Sequence, residues 1–254
     1  MPLTIITTCG TSVLAAGCWK GLTTSYLGCG RDEQKKIQGD NEEKVRAFRS
    51  ENLSPDLLAA TFDHGIPLAT AFGTGKPAGP VLVDRLRDLP AEIATLAALA
   101  YDLGKHGIAR DDRLFLLHAN NDEGDYCVCV LKKVLEDKAS LKVVRLEPIE
   151  HLDPDGGMFS AGILQLRERC RAIVKERPED SLYFNLTGGY KAMGIALGAL
   201  CHEMVEKEKR DVHAVYLHET ATYRNLSHIQ IGSGANQQGT DRDIGGLPIP
   251  GPTR

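Results

Sequence analysis

From Arg113 onward, short apolar runs alternate with longer amphipathic stretches, and this alternation restricts the fold more than any other feature of the chain. Arg113-Leu-Phe-Leu-Leu-His118 predicts a strand, 125–137 a helix, Leu141-Lys-Val-Val-Arg-Leu146 a strand and 159–176 a helix. Leu182, Tyr183, Phe184 and Leu186 predict another strand. Ala192, Ile195, Ala196, Ala199, Leu200 and Met204 then recur at helical spacing. Asp211-Val-His-Ala-Val-Tyr-Leu217 reads as a strand, and 225–231 as a last one, paired as a hairpin around Thr220 to Tyr223. Such alternation predicts an α/β fold: a Rossmann-like, mainly parallel sheet flanked by helices on both faces, with a C-terminal β-hairpin.

Upstream, Leu3 to Thr8 predicts a strand running straight into Cys9-Gly-Thr-Ser12 and a helix opening at Val13-Leu-Ala-Ala16. Residues 28–80 are read as a helical insertion followed by a loop rich in Gly and Pro. Within it Gly73-Thr-Gly-Lys76 falls short of a phosphate-binding P-loop, because Thr70 stands where a glycine is needed and Pro77 where Ser or Thr is needed. A clear helix begins at Pro90, with Ile93, Leu96, Ala97 and Ala100 on one face. No G-x-G-x-x-G follows the first strand, which weighs against ordinary NAD binding. Residues 232–254, rich in Gly, Pro, Gln and Asp, read as a flexible tail or linker after a domain spanning 1–231.

A net charge of −4 argues against general DNA or RNA binding, which draws on a basic excess. No apolar run reaches membrane-spanning length, and the N-terminus has no secretory pattern, so a cytoplasmic protein without a membrane partner is expected. The seven cysteines form no C-x-x-C knuckles. Neither a metal nor another cofactor is called for, and Cys127 and Cys129, two residues apart, are expected to point in different directions as reduced thiols.

Two strand-to-helix turns carry the candidate chemistry. In Asn185-Leu-Thr-Gly-Gly-Tyr-Lys191, Gly188 and Gly189 let backbone amides approach a ligand, the next helix offers its positive end, and Lys191 adds a full charge. In Gly10-Thr11-Ser12, Gly10 makes the bend, and the hydroxyls of Thr11 and Ser12 stand at a helix start, where capping alone accounts for a Ser or Thr. A plain turn explains either stretch; two anion-friendly turns in one chain suggest a shared site. His118, Asp122, Glu123 and Asp125 read either as a metal cluster or as a solvated loop with acids near a helix start. His213 and His218 read as structural, His218-Glu219-Thr220 as a secondary site candidate, and Arg145 and Arg224 as surface charges.

Three stretches together resemble the CRISPR-associated Rossmann fold (CARF) family of cyclic oligoadenylate-binding proteins. They are Thr8-Cys-Gly-Thr-Ser12, His118-Ala-Asn-Asn-Asp-Glu-Gly124 and Asn185-Leu-Thr-Gly-Gly-Tyr-Lys191. In that family the middle stretch usually reads Ser-Asp-Thr, of which Asn120-Asn-Asp122 is a looser form, and Tyr190 departs from the usual Thr in the last. The resemblance implies a homodimer that binds a cyclic oligoadenylate, most simply cyclic tetra-adenylate, across its two-fold axis. It implies Gly10, Thr11, Ser12, Asn120, Asn185, Thr187, Gly188, Gly189 and Lys191 as ligand-binding residues.

Family members either sense the ring or cut it. A stand-alone unit with no recognisable effector domain favours a ring nuclease, in which a ribose 2′-hydroxyl attacks the adjacent phosphate without a metal. Lys191 would then stabilise charge and Ser12 would position the ring. The alternatives are a non-catalytic sensor controlling an effector, and an ordinary nucleotide-processing enzyme on the same kind of sheet.

Overall fold

The computed structural model describes residues 2–14, 54–60, 68, 72, 89–104, 107–109, 111–152, 157–217, 226–229 and 231. Most of the 28–80 insertion, the hairpin turn at 220–223 and the tail at 232–254 lie outside the described residues. So do His218 to Asn225, Cys18 and Cys29.

Six strands form one sheet: β1 (Leu3–Thr8), β2 (Arg113–Ala119), β3 (Val143–Ile149), β4 (Ser181–Asn185), β5 (Val212–Leu217) and β6 (Leu226–Ile229). Their order is β3-β2-β1-β4-β5-β6, parallel except for β6, which runs antiparallel to β5. The expected α/β architecture and C-terminal strand pair are therefore present.

Helix α1 (Pro55–Ala60) is short; α2 (Ala91–Asp102), α3 (Asp122–Asp137), α4 (Phe159–Glu176) and α5 (Lys191–Glu208) cover the sheet. Alternate strand residues divide the core in two. Ile5, Leu114, Leu116, Tyr183 and Val215 pack against α2 and α3. Ile6, Phe115, Leu117, Phe184 and Ala214 pack against α4 and α5. The period-two alternation of a strand produces both layers from the same residues.

One helix face differs from the reading by periodicity. Met193, Leu197, Leu200, Cys201 and Met204 of α5 are buried, whereas Ile195 is 76% exposed and Ala199 is also exposed. Apolar and small residues line nearly the whole circumference of this helix, so spacing alone leaves its phase undetermined. Helix α2 is buried along its length from Glu92 to Ala100, which brings a carboxylate inside the protein.

The chain leaves β1 toward β2 and β3 on one side, then returns to β4 and β5 on the other. The order thus reverses between β1 and β4, and open α/β sheets bind ligands outside the carboxyl ends of the strands at such a switch point.

Candidate functional site

The turns after β1 and β4 meet at this switch point. Thr7 and Asn185 are register partners at the ends of the two strands. Beyond them the backbones approach so closely that a Cβ built on Gly10 would lie 2.9 Å from the Gly189 nitrogen. Thr8 Oγ1 donates to the Gly188 carbonyl at 2.6 Å. Gly189 has φ +79°, the left-handed conformation that favours glycine, and the chain then enters α5 at Lys191. The two turns therefore form one surface, as their shared chemistry suggests.

Beneath that surface lies Glu92, fully buried in the first turn of α2. Its Oε1 accepts the Gly10 N–H at 2.8 Å, and its Oε2 accepts the Ser12 hydroxyl. The same hydroxyl accepts the Ala91 N–H at 3.1 Å. Pro90, at the N-cap of α2, has no capping side chain. Ser12 is thus a cap, but of a helix that starts 79 residues downstream in the chain. Within the described residues, which break off after Leu14, Ser12 also opens a 3-10 turn, Ser12–Leu14.

Sequence reasoning missed Glu92, which looks like any acid near a helix start. The signal was its setting: a Glu followed by Ile93-Ala-Thr-Leu-Ala-Ala-Leu-Ala100 has no polar face on which to reach water.

Asn185 is fully buried; its Oδ1 accepts the Thr187 N–H at 3.0 Å, and its Nδ2 has no hydrogen-bond partner among the described residues. Thr187 Oγ1 accepts the Leu217 N–H at 2.9 Å, so these two residues brace the turn against itself and against the end of β5. Lys191 is exposed at the first position of α5 and forms no ion pair among the described residues. Ser12 and Thr11 are half-buried.

Asn120 stands at the same end of the sheet after β2, exposed, where its Nδ2 donates to Glu150. Its surroundings are acidic. Asp122, Glu123 and Asp125 occupy the first turn of α3, where Asn121 caps by accepting the Gly124 N–H at 2.7 Å. The carboxylates complement the helix dipole and oppose an anion there. His118 Nδ1 is 3.0 Å from the Ala119 carbonyl and 3.3 Å from Asp125, and burial holds its pKa below the usual histidine value. Among the described residues no three His, Cys, Asp or Glu side chains are grouped to hold a metal ion. The acidic groups thus gather at the end of β2, and Lys191 stands on the β1–β4 side.

Burial favours the protonated form of the thiols near the site. Cys9 is buried, and burial, followed by the Glu92 charge, pushes its pKa well above the ordinary thiol value. Cys127 is likewise buried, its pKa raised by burial, while Cys129 two residues on is exposed, so the pair diverges as expected. Arg145 pairs with Glu147 and Glu176, and His213 stacks on Tyr183 with its Nε2 3.1 Å from Asp211. Both are structural placements away from the two turns. No helix among the described residues is long and apolar enough to cross a membrane.

No curated protein matches the chain. A model of the CRISPR-associated protein (Cas_APE2256) family matches residues 87–223, more than half of the chain, covering α2 with Glu92 and the turn from Asn185 to Lys191. The chain belongs to this CRISPR-associated family.

Proposed function

We propose that the protein binds a cyclic oligoadenylate, most simply cyclic tetra-adenylate, in the crevice between the turns after β1 and β4, and opens the ring without a metal. One observation carries this reading: two glycine-bearing turns touch at the switch point of the sheet, with Lys191, which forms no ion pair among the described residues, at the start of the following 18-residue helix. Exposed backbone, a helix N-terminus and Lys191 together suit a phosphodiester. Membership of a CRISPR-associated family supports a signalling nucleotide over a metabolic one.

A nearly two-fold ring calls for a two-fold protein, and the surface beside Lys191 suits a second copy. Ile195, four residues on, shares its helix face and is 76% exposed; Tyr190 is 40% exposed and meets Phe159 edge-on at 6.4 Å between ring centroids. A dimer joined there would bring two lysines to one ring.

Cleavage in this reading is attack by a ribose 2′-hydroxyl on its neighbouring phosphorus in line with the departing 5′-oxygen, leaving a 2′,3′-cyclic phosphate end. The protein holds that alignment, and Lys191 offsets the charge that grows on the phosphoryl oxygens. Degrading the messenger would switch off type III CRISPR signalling.

The test is incubation with cyclic tri-, tetra- and hexa-adenylate in EDTA, followed by chromatography of the products and light scattering of the protein. Linear product from a dimer is expected. Tight binding with the ring intact would leave a sensor that controls an effector, and no binding of any ring would defeat the reading.

A further inference from the structure

We infer that Glu92 sets the hydrogen-bonding polarity of Ser12, so that Ser12 meets the ligand as an acceptor and reads a donor group, either a ribose 2′-hydroxyl or an adenine 6-amino group. The inference deepens the cyclic oligoadenylate reading and rests on it for the ligand.

A serine hydroxyl has one hydrogen and two acceptor positions. The hydrogen of Ser12 is given to Glu92 Oε2, and one acceptor position takes the Ala91 N–H at 3.1 Å. Among the described residues no other group bonds it, and what remains is a single lone pair. A phosphate oxygen, itself an acceptor, gains nothing from it; a hydroxyl or amino group does. The positioning role written into Ser12 by its place in the turn therefore acquires a sign.

As a carboxylate Glu92 enforces that sign, because it can only accept and is held in place. It is fully buried, its other oxygen is committed to the Gly10 N–H at 2.8 Å, and the Gly188 backbone closes over it, a Cβ there falling 2.6 Å from Oε1. Glu92 does not reach the ligand; it acts through Ser12.

Glu92→Gln reverses the arrangement without changing the shape. The amide oxygen must face the Gly10 N–H, because two N–H groups cannot bond each other, and the amide NH2 then donates to Ser12 Oγ. With both acceptor positions filled, the Ser12 hydrogen turns outward and meets the ligand as a donor.

Binding is measured by calorimetry at low temperature, with ring integrity checked afterwards, for cyclic tetra-adenylate, cyclic tetra-2′-deoxyadenylate and cyclic tetra-inosinate. The deoxy ring lacks the hydroxyl donor, and the inosinate ring replaces the amino donor with a carbonyl acceptor. The native protein should lose about tenfold or more in affinity for one of the two analogues, which identifies the donor, as expected for an unpaired polar group in a site. Glu92→Gln should shrink that ratio below about threefold. If that variant does not fold, as judged by thermal unfolding, Ser12→Ala must shrink it instead. Equal affinity of the native protein for all three rings, or undiminished discrimination in the variants, overturns the inference.

Neutron diffraction of the ligand-free protein separates this result from the fate of the ring itself. A deuterium between Ser12 Oγ and Glu92 Oε2, borne by the serine, supports the polarity even if no ring binds and the cyclic oligoadenylate reading falls. A deuterium borne by Glu92, with that of Ser12 directed outward, overturns it.

Discussion

The hydroxyl of Thr8, the last residue of β1, donates to the carbonyl of Gly188 at 2.6 Å and so ties together two turns 180 residues apart in the chain. Thr8 is fully buried, so the carbonyl has no water to fall back on. Thr8→Val keeps the shape and removes the donor. The unfolding free energy should fall by about 1–3 kcal/mol, the cost of an unsatisfied buried acceptor. Chemical denaturation measures it, and an unchanged midpoint would mean that the turns are held together by something else.

Glycine at 188 is a requirement of space. A Cβ there would come 2.6 Å from Glu92 Oε1 and 2.9 Å from its Cγ, as well as into the Thr8 carbonyl. Backbone and a confined carboxylate cannot both yield, so Gly188→Ala should separate the turns and cost about 1–3 kcal/mol, in the range of overpacked cores. Gly198, inside α5, provides the contrast: beyond its own helix backbone a Cβ there meets no atom of the described residues within 4 Å, and Gly198→Ala should stabilise the protein by up to about 1 kcal/mol through helix propensity. Thermal unfolding of the two variants should shift in opposite directions.

The strand and helix alternation after Arg113 was legible because its pattern is local: α4 spans Phe159–Glu176, the limits that its apolar spacing and flanks imply. The phase of α5 was not, since its burial is decided by which side the sheet lies on, and Ile195 and Leu197 are equally apolar. The two turns were legible as a pair through Gly10, Gly188, Gly189 and Lys191. Their coupling through Glu92 was not, because a bond between Ser12 and a residue 80 positions away depends on how α2 docks. Local chemistry suggested Ser12 as a cap of the segment after it; its bond to the Ala91 N–H, at the start of a helix whose N-cap Pro90 has no capping side chain, is one that no local pattern announces.

Two histidines should titrate on opposite sides of the ordinary value of about 6.5. His228, on edge strand β6, has its pKa raised by its hydrogen bond to Asp102 at 3.0 Å, whereas burial lowers that of His118. For His228 the charged form is favoured by folding, so its contribution is complete below about pH 6.5 and is lost as pH rises through the higher folded value. Both partners are close to half exposed, which limits the gain to less than about 1 kcal/mol. For His118 the neutral form is favoured, so stability falls as pH drops below about 6.5 toward the lower folded value. Proton NMR titration of the imidazoles should show the split, and Asp102→Asn should bring His228 back toward 6.5 without moving His118.

Lys191 separates binding from stability. It occupies the first position of an 18-residue helix, where a cation faces the positive end of the dipole, and it forms no compensating ion pair among the described residues. A residue chosen for folding alone would be neutral or acidic there. Lys191→Ala should therefore leave the unfolding temperature unchanged or raise it, by the equivalent of about 0.3–1 kcal/mol. The same substitution removes a charge-assisted contact to a phosphate and should weaken cyclic tetra-adenylate binding by about 10- to 100-fold, with a shallower dependence on salt. Calorimetric titration at two ionic strengths, beside a thermal melt, measures both. Loss of stability together with binding would make the lysine a structural residue, and binding that survives intact would put the anion site elsewhere.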